Sequence, residues 1–219
     1  MMNNKKLVLD IGSGTGSSTK IWTENGYRVI SVDYNKEFNP TILGDYGTKD
    51  AWAKINSYGQ YDFIWFSPDC RFFSLAGKMP FDKHRNARTV EAEKVCTDNC
   101  YVLDNIKKLN PKLGWIMENP RALMRKMPWV QEYHRVTISF CQYGDTRMKP
   151  TDLFGNIPID FIPKFCKNGA PCHEPAPRGS KTGTQGLKNS KLRGMIPYDL
   201  TKAIFEAAQK SNGVFYYGN

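Results

Sequence analysis

LVLDIGSGTG, Leu7 to Gly16, is a short apolar run that ends in three glycines at alternate positions. An apolar run of this length closed by glycine predicts a strand buried on both faces, followed by a tight turn. The next segments repeat the theme: SSTKIWTENG predicts a helix stopped by Gly26, and YRVISVDYN predicts a second strand. Further on, YDFIWFSPD and LGWIMENP read as apolar strands, each closed by a proline. Between them VEAEKVCTDNCYVLDNIKKL carries Val95, Val102, Ile106 and Leu109, flanked by Leu103, at the spacing of an amphipathic helix. Strands that alternate with helices imply an α/β fold built on a doubly wound, mostly parallel sheet of the Rossmann-like type. Ligands of such sheets lie at the carboxyl ends of the strands, and the unusual residues of this sequence cluster there.

Gly12, Gly14 and Gly16 allow the backbone to pass close to a ligand, and Asp33, after the second strand, is placed to bond ribose hydroxyls. The spacing is GxGxG and not the GxGxxG of dinucleotide sites. It favours a nucleoside without a pyrophosphate, such as S-adenosylmethionine, over NAD. Asp45, in the turn Gly44-Asp45-Tyr46 after a third strand, is a candidate for the adenine amino group. FSPDCRFFSLAG, Phe66 to Gly77, sets Cys70 at a strand end, where it reads either as a packing residue or as a nucleophile.

Composition bounds the partners. Thirty-one Lys and Arg against 21 Asp and Glu give a formal charge of +10, for which a polyanion is the simplest partner. Between Lys164 and Arg193 seven basic residues face one acid, Glu174, which reads as a solvated loop or as a phosphate-contacting segment. No apolar run approaches a membrane span, and the start of the chain lacks a signal peptide's apolar core, so a cytoplasmic protein is expected. The six cysteines should then be mostly reduced. Cys166, Cys172 and His173 lack the spacing of a paired-cysteine knuckle and an evident fourth ligand, so no metal site is expected, and Cys96 and Cys100 suit core packing on the long helix.

Taken in order, DIGSGTG, VDYN, GDY, SPDCRFFSLAG, MENP, CQYGDTRMKPTDLFGN and RGMIPYDLTKAIFEAA resemble the motif series of the DNA cytosine-5 methyltransferases, in a compact form of the kind carried by phages. The resemblance runs from Leu7 to Ala208. It implies S-adenosylmethionine as cofactor, held by Asp10, Gly12, Gly14, Gly16, Asp33, Asp45 and Pro68. It implies Cys70 as the nucleophile that adds to cytosine C6, and Glu118 as the group that bonds N3 and the exocyclic amine. Arg147 falls in the segment that holds the base, and Ser67, Arg71, Asn119 and Lys149 are the remaining substrate contacts. The implied partner is DNA, either a duplex from which the base is flipped or a single strand, and the implied setting is a bacterial host's cytoplasm and a restriction-modification system. A monomer is expected.

Two features depart from the family pattern. The chain reads Pro68-Asp69-Cys70-Arg71 where the family has Pro-Pro-Cys-Gln, and an acid beside the thiol opposes the effect expected of Arg71. Ser67-Pro68-Asp69 also resembles a degenerate amino-methyltransferase motif, which needs no cysteine, and a catalytically silent DNA-binding module is a further reading. The second departure is size. The expected division is a catalytic domain over 1–150, a minimal recognition segment over 151–192, and a C-terminal helix over 193–219 that returns so that Arg193 to Pro197 line the cofactor pocket.

Overall fold

The computed structural model describes residues 6–74, 80–109, 112–175 and 189–216. Five parallel strands form the first part of the sheet: β1 (Leu7–Ile11), β2 (Arg28–Asp33), β3 (Ile42–Leu43), β4 (Phe63–Phe66) and β5 (Gly114–Pro120). Three more follow, β6 (Arg135–Ser139), β7 (Pro150–Pro158) and β8 (Phe215–Tyr216). The order across the sheet is β3-β2-β1-β4-β5-β7-β6, with β8 paired to β7, and every pairing made by β7 is antiparallel. An antiparallel strand inserted ahead of the last one separates this sheet from the dinucleotide-binding order 3-2-1-4-5-6. The expected doubly wound, mostly parallel sheet of Rossmann-like type is the one observed.

Alternating side chains build a core on each face. Leu9, Ile11, Ile64, Phe66 and Met117 point to one side, with Val102 and Ile106 of α3 (Val90–Leu109) and Trp52 of α2 (Lys49–Asn56). Val8, Phe63, Trp65 and Ile116 point to the other, with Trp22 of α1 (Lys20–Glu24) and, beyond the short α4 (Ser190–Gly194), Leu200, Ile204 and Ala207 of α5 (Tyr198–Lys210). A period of two on strands covered on both faces explains why β1, β4 and β5 read as unbroken apolar runs. Among the described residues, no helix is long and apolar enough to cross a membrane.

Two expectations are corrected here. The helix expected over SSTKIWTENG begins only at Lys20, because the Ser18 and Thr19 hydroxyls are drawn inward to Asp10. The boundary at residue 150 also moves, since β7 lies between β5 and β6 and places residues 150–158 inside the sheet. The segment expected over 151–192 thus begins inside the sheet, and its residues 176–188, Arg178, Lys181 and Lys188 among them, lie outside the described residues. Residues 75–79 and 217–219 also lie outside them.

Candidate active site

Asp10 ends up beneath the glycine turn. Its Oδ2 accepts from Ser18 Oγ at 2.8 Å and Thr19 Oγ1 at 2.7 Å, and burial pushes its carboxyl up to about 6. It braces the turn from below, where sequence reasoning had it at the cofactor. Gly12 takes φ +68°, and a Cβ there would stand 2.3 Å from the Ser67 carbonyl oxygen, so β1 and β4 can close on each other only with glycine at this position. Gly14 and Gly16 also have positive φ, but they face open space. Gly14 donates its N–H to Asp33 Oδ2 at 2.9 Å, and Asn35 donates to Asp33 Oδ1 at 2.8 Å. The open glycine backbone with a buried carboxylate at its lip is a cradle that fits the ribose and amino-acid parts of a nucleoside such as S-adenosylmethionine. Asp45 stands at the rim with Oδ1 accepting from Gly47 N–H and Oδ2 from Lys94 Nζ, each at 2.9 Å.

The strand ends next to this cradle carry the reactive groups. Phe66 of β4 pairs with Met117 of β5, so the chain beyond β4 and the Glu118-Asn119 end of β5 emerge side by side. Asn119 Nδ2 donates to the Pro68 carbonyl at 3.3 Å and ties the two ends together, while Trp65 Nε1 donates to Ser67 Oγ at 3.0 Å. Cys70 opens a single helical turn, Cys70–Phe72, at the exposed lip. Asp69 caps that turn by accepting the Arg71 N–H at 3.0 Å.

Arg71 pairs with the acid next to the thiol. Its guanidinium forks onto Asp69, with Nε at 3.0 and 2.9 Å from the two carboxylate oxygens. The cation that acts on Cys70 is Lys149. Desolvation by the surrounding protein and the Glu118 carboxylate push the Cys70 thiol above its ordinary value, with Asp69 adding to the rise, and Lys149 pulls it back. Glu118 is buried, its carboxyl is also raised by desolvation, and Lys149 again opposes the rise. Burial in turn depresses the Lys149 ammonium, which is held by the Arg193 carbonyl at 3.0 Å and by the Phe140 ring, 4.3 Å from its centroid. Its φ of +28° is strained for a non-glycine residue, at a cost on the order of 1–3 kcal/mol.

Two buried acceptor atoms here, Glu118 Oε1 and Asn119 Oδ1, have no hydrogen-bond partner among the described residues. Leaving such a group unsatisfied costs about 1–3 kcal/mol, which a ligand with matching donors would recover.

Arg147 is corrected as well. It lies on Asp145, with Nε at 2.8 and 3.0 Å from the carboxylate oxygens, and its Nη1 donates to the Leu192 and Arg193 carbonyls at 3.3 and 3.4 Å. These bonds fasten Arg147 to the returning chain, and Lys149 is the cation whose charge bears on the Cys70 thiol. The return is pinned a second time where Ile196 donates its N–H to Ser17 Oγ at 2.9 Å. A cavity of about 550 Å³ opens beside this junction, lined by Ser17, Tyr143, Arg147, Ile196 and Tyr198 among others. It adjoins the glycine turn without including Gly12, Gly14 or Asp33.

A curated protein of Frog virus 3 (isolate Goorha), named a probable DNA (cytosine-5)-methyltransferase, is 28% identical to the chain over 172 residues. The match covers 75% of this chain and 77% of the viral one. The chain is thus similar to the DNA (cytosine-5) methyltransferases. No protein-family model matches it. Solved structures align more loosely. The Entamoeba histolytica methyltransferase EhMeth aligns at TM-score 0.46 and 13% identity over 77% of this chain, and the Dnmt2 methyltransferase of S. pombe at 0.43 and 15% over 69%. The chain spans 58% and 50% of those two proteins.

Proposed function

We propose that the protein transfers a methyl group from S-adenosylmethionine to C5 of cytosine in DNA, through a covalent bond between Cys70 and C6. The observation that carries this reading is the conjunction of an accessible thiol, a buried and unsatisfied glutamate, and one lysine acting electrostatically on both. Cytosine C5 is a weak nucleophile, and adding a thiolate to C6 makes it enamine-like.

In this scheme Lys149 stabilises the Cys70 thiolate as it forms. The sulfur lone pair makes the bond to C6, and the C5–C6 π electrons become available at C5. Glu118, whose raised pKa keeps it protonated to higher pH than a surface glutamate, donates to N3 and accepts from the exocyclic amine, which supplies Oε1 with a partner. Asn119 holds the turn that carries Cys70 through the Pro68 carbonyl. The bound cofactor supplies an electrophilic methyl group. A water molecule then takes the C5 proton, the electron pair returns to C5–C6, Cys70 leaves as thiolate, and N3 gives its proton back to Glu118. Asp33, Gly14 and Gly16 are the groups suited to seat the cofactor.

DNA as the substrate is supported by the viral relative's name and by the charge of +10. The test is to incubate the chain with methyl-labelled S-adenosylmethionine and DNA of mixed sequence, digest to nucleosides and separate them. Label in 5-methyldeoxycytidine supports the reading. Label in an N4- or N6-methylated nucleoside selects the amino-methyltransferase alternative, and absence of label on DNA that the protein binds selects a silent module.

A further inference from the structure

Away from the strand ends, the fold gathers Cys141, Cys166, Cys172 and His173, with one ligand atom from each lying within 4.8 Å of the others. Cys141 sits in the helical turn Phe140–Tyr143 after β6, and the other three lie on the irregular chain after β7. The sequence left three ligands without a fourth, and the fold supplies it from a separate element. We propose that these four side chains hold a structural zinc ion, independently of the methyl-transfer reading.

The distances fit. The Cys166 and Cys172 sulfurs are 3.2 Å apart, and those of Cys172 and Cys141 are 3.7 Å apart. His173 Nδ1 lies 3.4 Å from the Cys166 sulfur and 3.7 Å from that of Cys172. A tetrahedron with Zn–S bonds of about 2.3 Å and a Zn–N bond of about 2.0 Å has edges of roughly 3.5–3.8 Å. A bonded sulfur pair would stand at about 2.05 Å, and all three cysteines are free. Three thiolates with one imidazole form a soft, closed set of the kind that selects zinc over magnesium or calcium and leaves no open position for substrate. Binding releases three thiol protons and leaves the centre with one net negative charge.

Backbone bonds hold the ligands in place from both sides. Cys166 donates its N–H to Ser139 Oγ at 3.1 Å, Lys164 to the Tyr143 hydroxyl at 3.0 Å, and Glu174 to the Thr146 carbonyl at 2.9 Å. Gln142 Nε2 donates to the Cys172 sulfur at 3.2 Å, an outer hydrogen bond of the sort that orients metal-bound thiolates. The ion would clamp residues 164–174 to the turn that runs through Asp145 and Arg147 to Lys149. It would thereby brace the lysine's segment.

The test begins with the full chain expressed with zinc supplied, purified with reductant and without chelator, and assayed for metal by atomic mass spectrometry. One zinc per chain is expected, falling to none in Cys166→Ser and Cys172→Ser and unchanged in Cys100→Ser. Because the serine variants could fail to fold, the wild-type chain is also stripped of metal and titrated with Co²⁺. Thiolate-to-cobalt charge-transfer bands and intense tetrahedral d–d bands, saturating at one equivalent and displaced by zinc, support the proposal. A chain that binds no zinc, an octahedral cobalt spectrum, full zinc retention in Cys166→Ser, or a Cys166–Cys172 disulfide in the reduced preparation would each overturn it.

Discussion

Arg71 clasps Asp69 on either side of Cys70, with Nε 3.0 and 2.9 Å from the two carboxylate oxygens. Asp69, beside the thiol, therefore carries its own counter-ion. Lys149 is the largest influence favouring the Cys70 thiolate, opposed by burial, Glu118 and Asp69.

Lys149→Met should then slow alkylation of Cys70 near neutral pH, because the charge that favours the thiolate is lost. Asp69→Asn should speed it. The wild-type rate should keep rising with pH beyond the ordinary thiol range, since the folded protein holds this thiol above its usual value. Peptide-mapped iodoacetamide rates measure all three, and equal rates for Lys149→Met and wild type would remove Lys149 from the site.

Glu118→Gln should lower the rate of adduct formation by roughly 10- to 150-fold, the equivalent of a charge-assisted hydrogen bond of about 1.5–3 kcal/mol. It should not lower the melting temperature at neutral pH. Glu118 is a buried acid with a raised pKa, so its stabilising contribution is present at low pH and is lost as pH rises through the folded value. A melting curve combined with single-turnover kinetics separates the two effects.

Arg147→Ala should instead be a stability variant. It strands Asp145, whose carboxyl the guanidinium now holds below its ordinary value, and removes the clasp on Leu192 and Arg193. Breaking a buried pair from one side costs about 3–5 kcal/mol, readable by urea denaturation. A loss of adduct formation with unchanged stability would restore a chemical role to Arg147.

Asp10 predicts a pH signature. Its carboxyl is raised from 3.8 to about 6 in the folded protein, so folding is favoured by its protonation. That contribution is full below about pH 4 and fades as pH rises through about 6. The shift corresponds to about 3 kcal/mol at most. Asp10→Asn should flatten this part of the stability profile, measured as the difference from wild type in denaturation at stepped pH. Parallel profiles would show that Asp10 does not titrate in this range.

The parallel half of the fold was legible because doubly covered strands must be apolar throughout, and because α3 and α5 show helical spacing. β7 was hidden because Pro150, Asp152, Gly155, Asn156 and Pro158 break the apolar run of a strand that nonetheless lies inside the sheet. Cys70 and Glu118 stood at strand ends where the sheet topology places chemistry. Separating Lys149 from Arg147 needed Asp145, since only the fold shows which of two nearby cations is already paired with a carboxylate. Cys141 gave no signal beside Cys166 and Cys172, because its partners arrive from beyond the next strand.

The central claim, that Cys70 attacks cytosine, is tested most directly by trapping. The chain is mixed with S-adenosylmethionine and DNA carrying 5-fluorocytosine in mixed contexts, then run on a denaturing gel beside Cys70→Ala. Fluorine at C5 blocks the final elimination. A band that survives denaturation and is missing in Cys70→Ala is the predicted result; no such band, on DNA that the protein binds with cofactor present, contradicts the account.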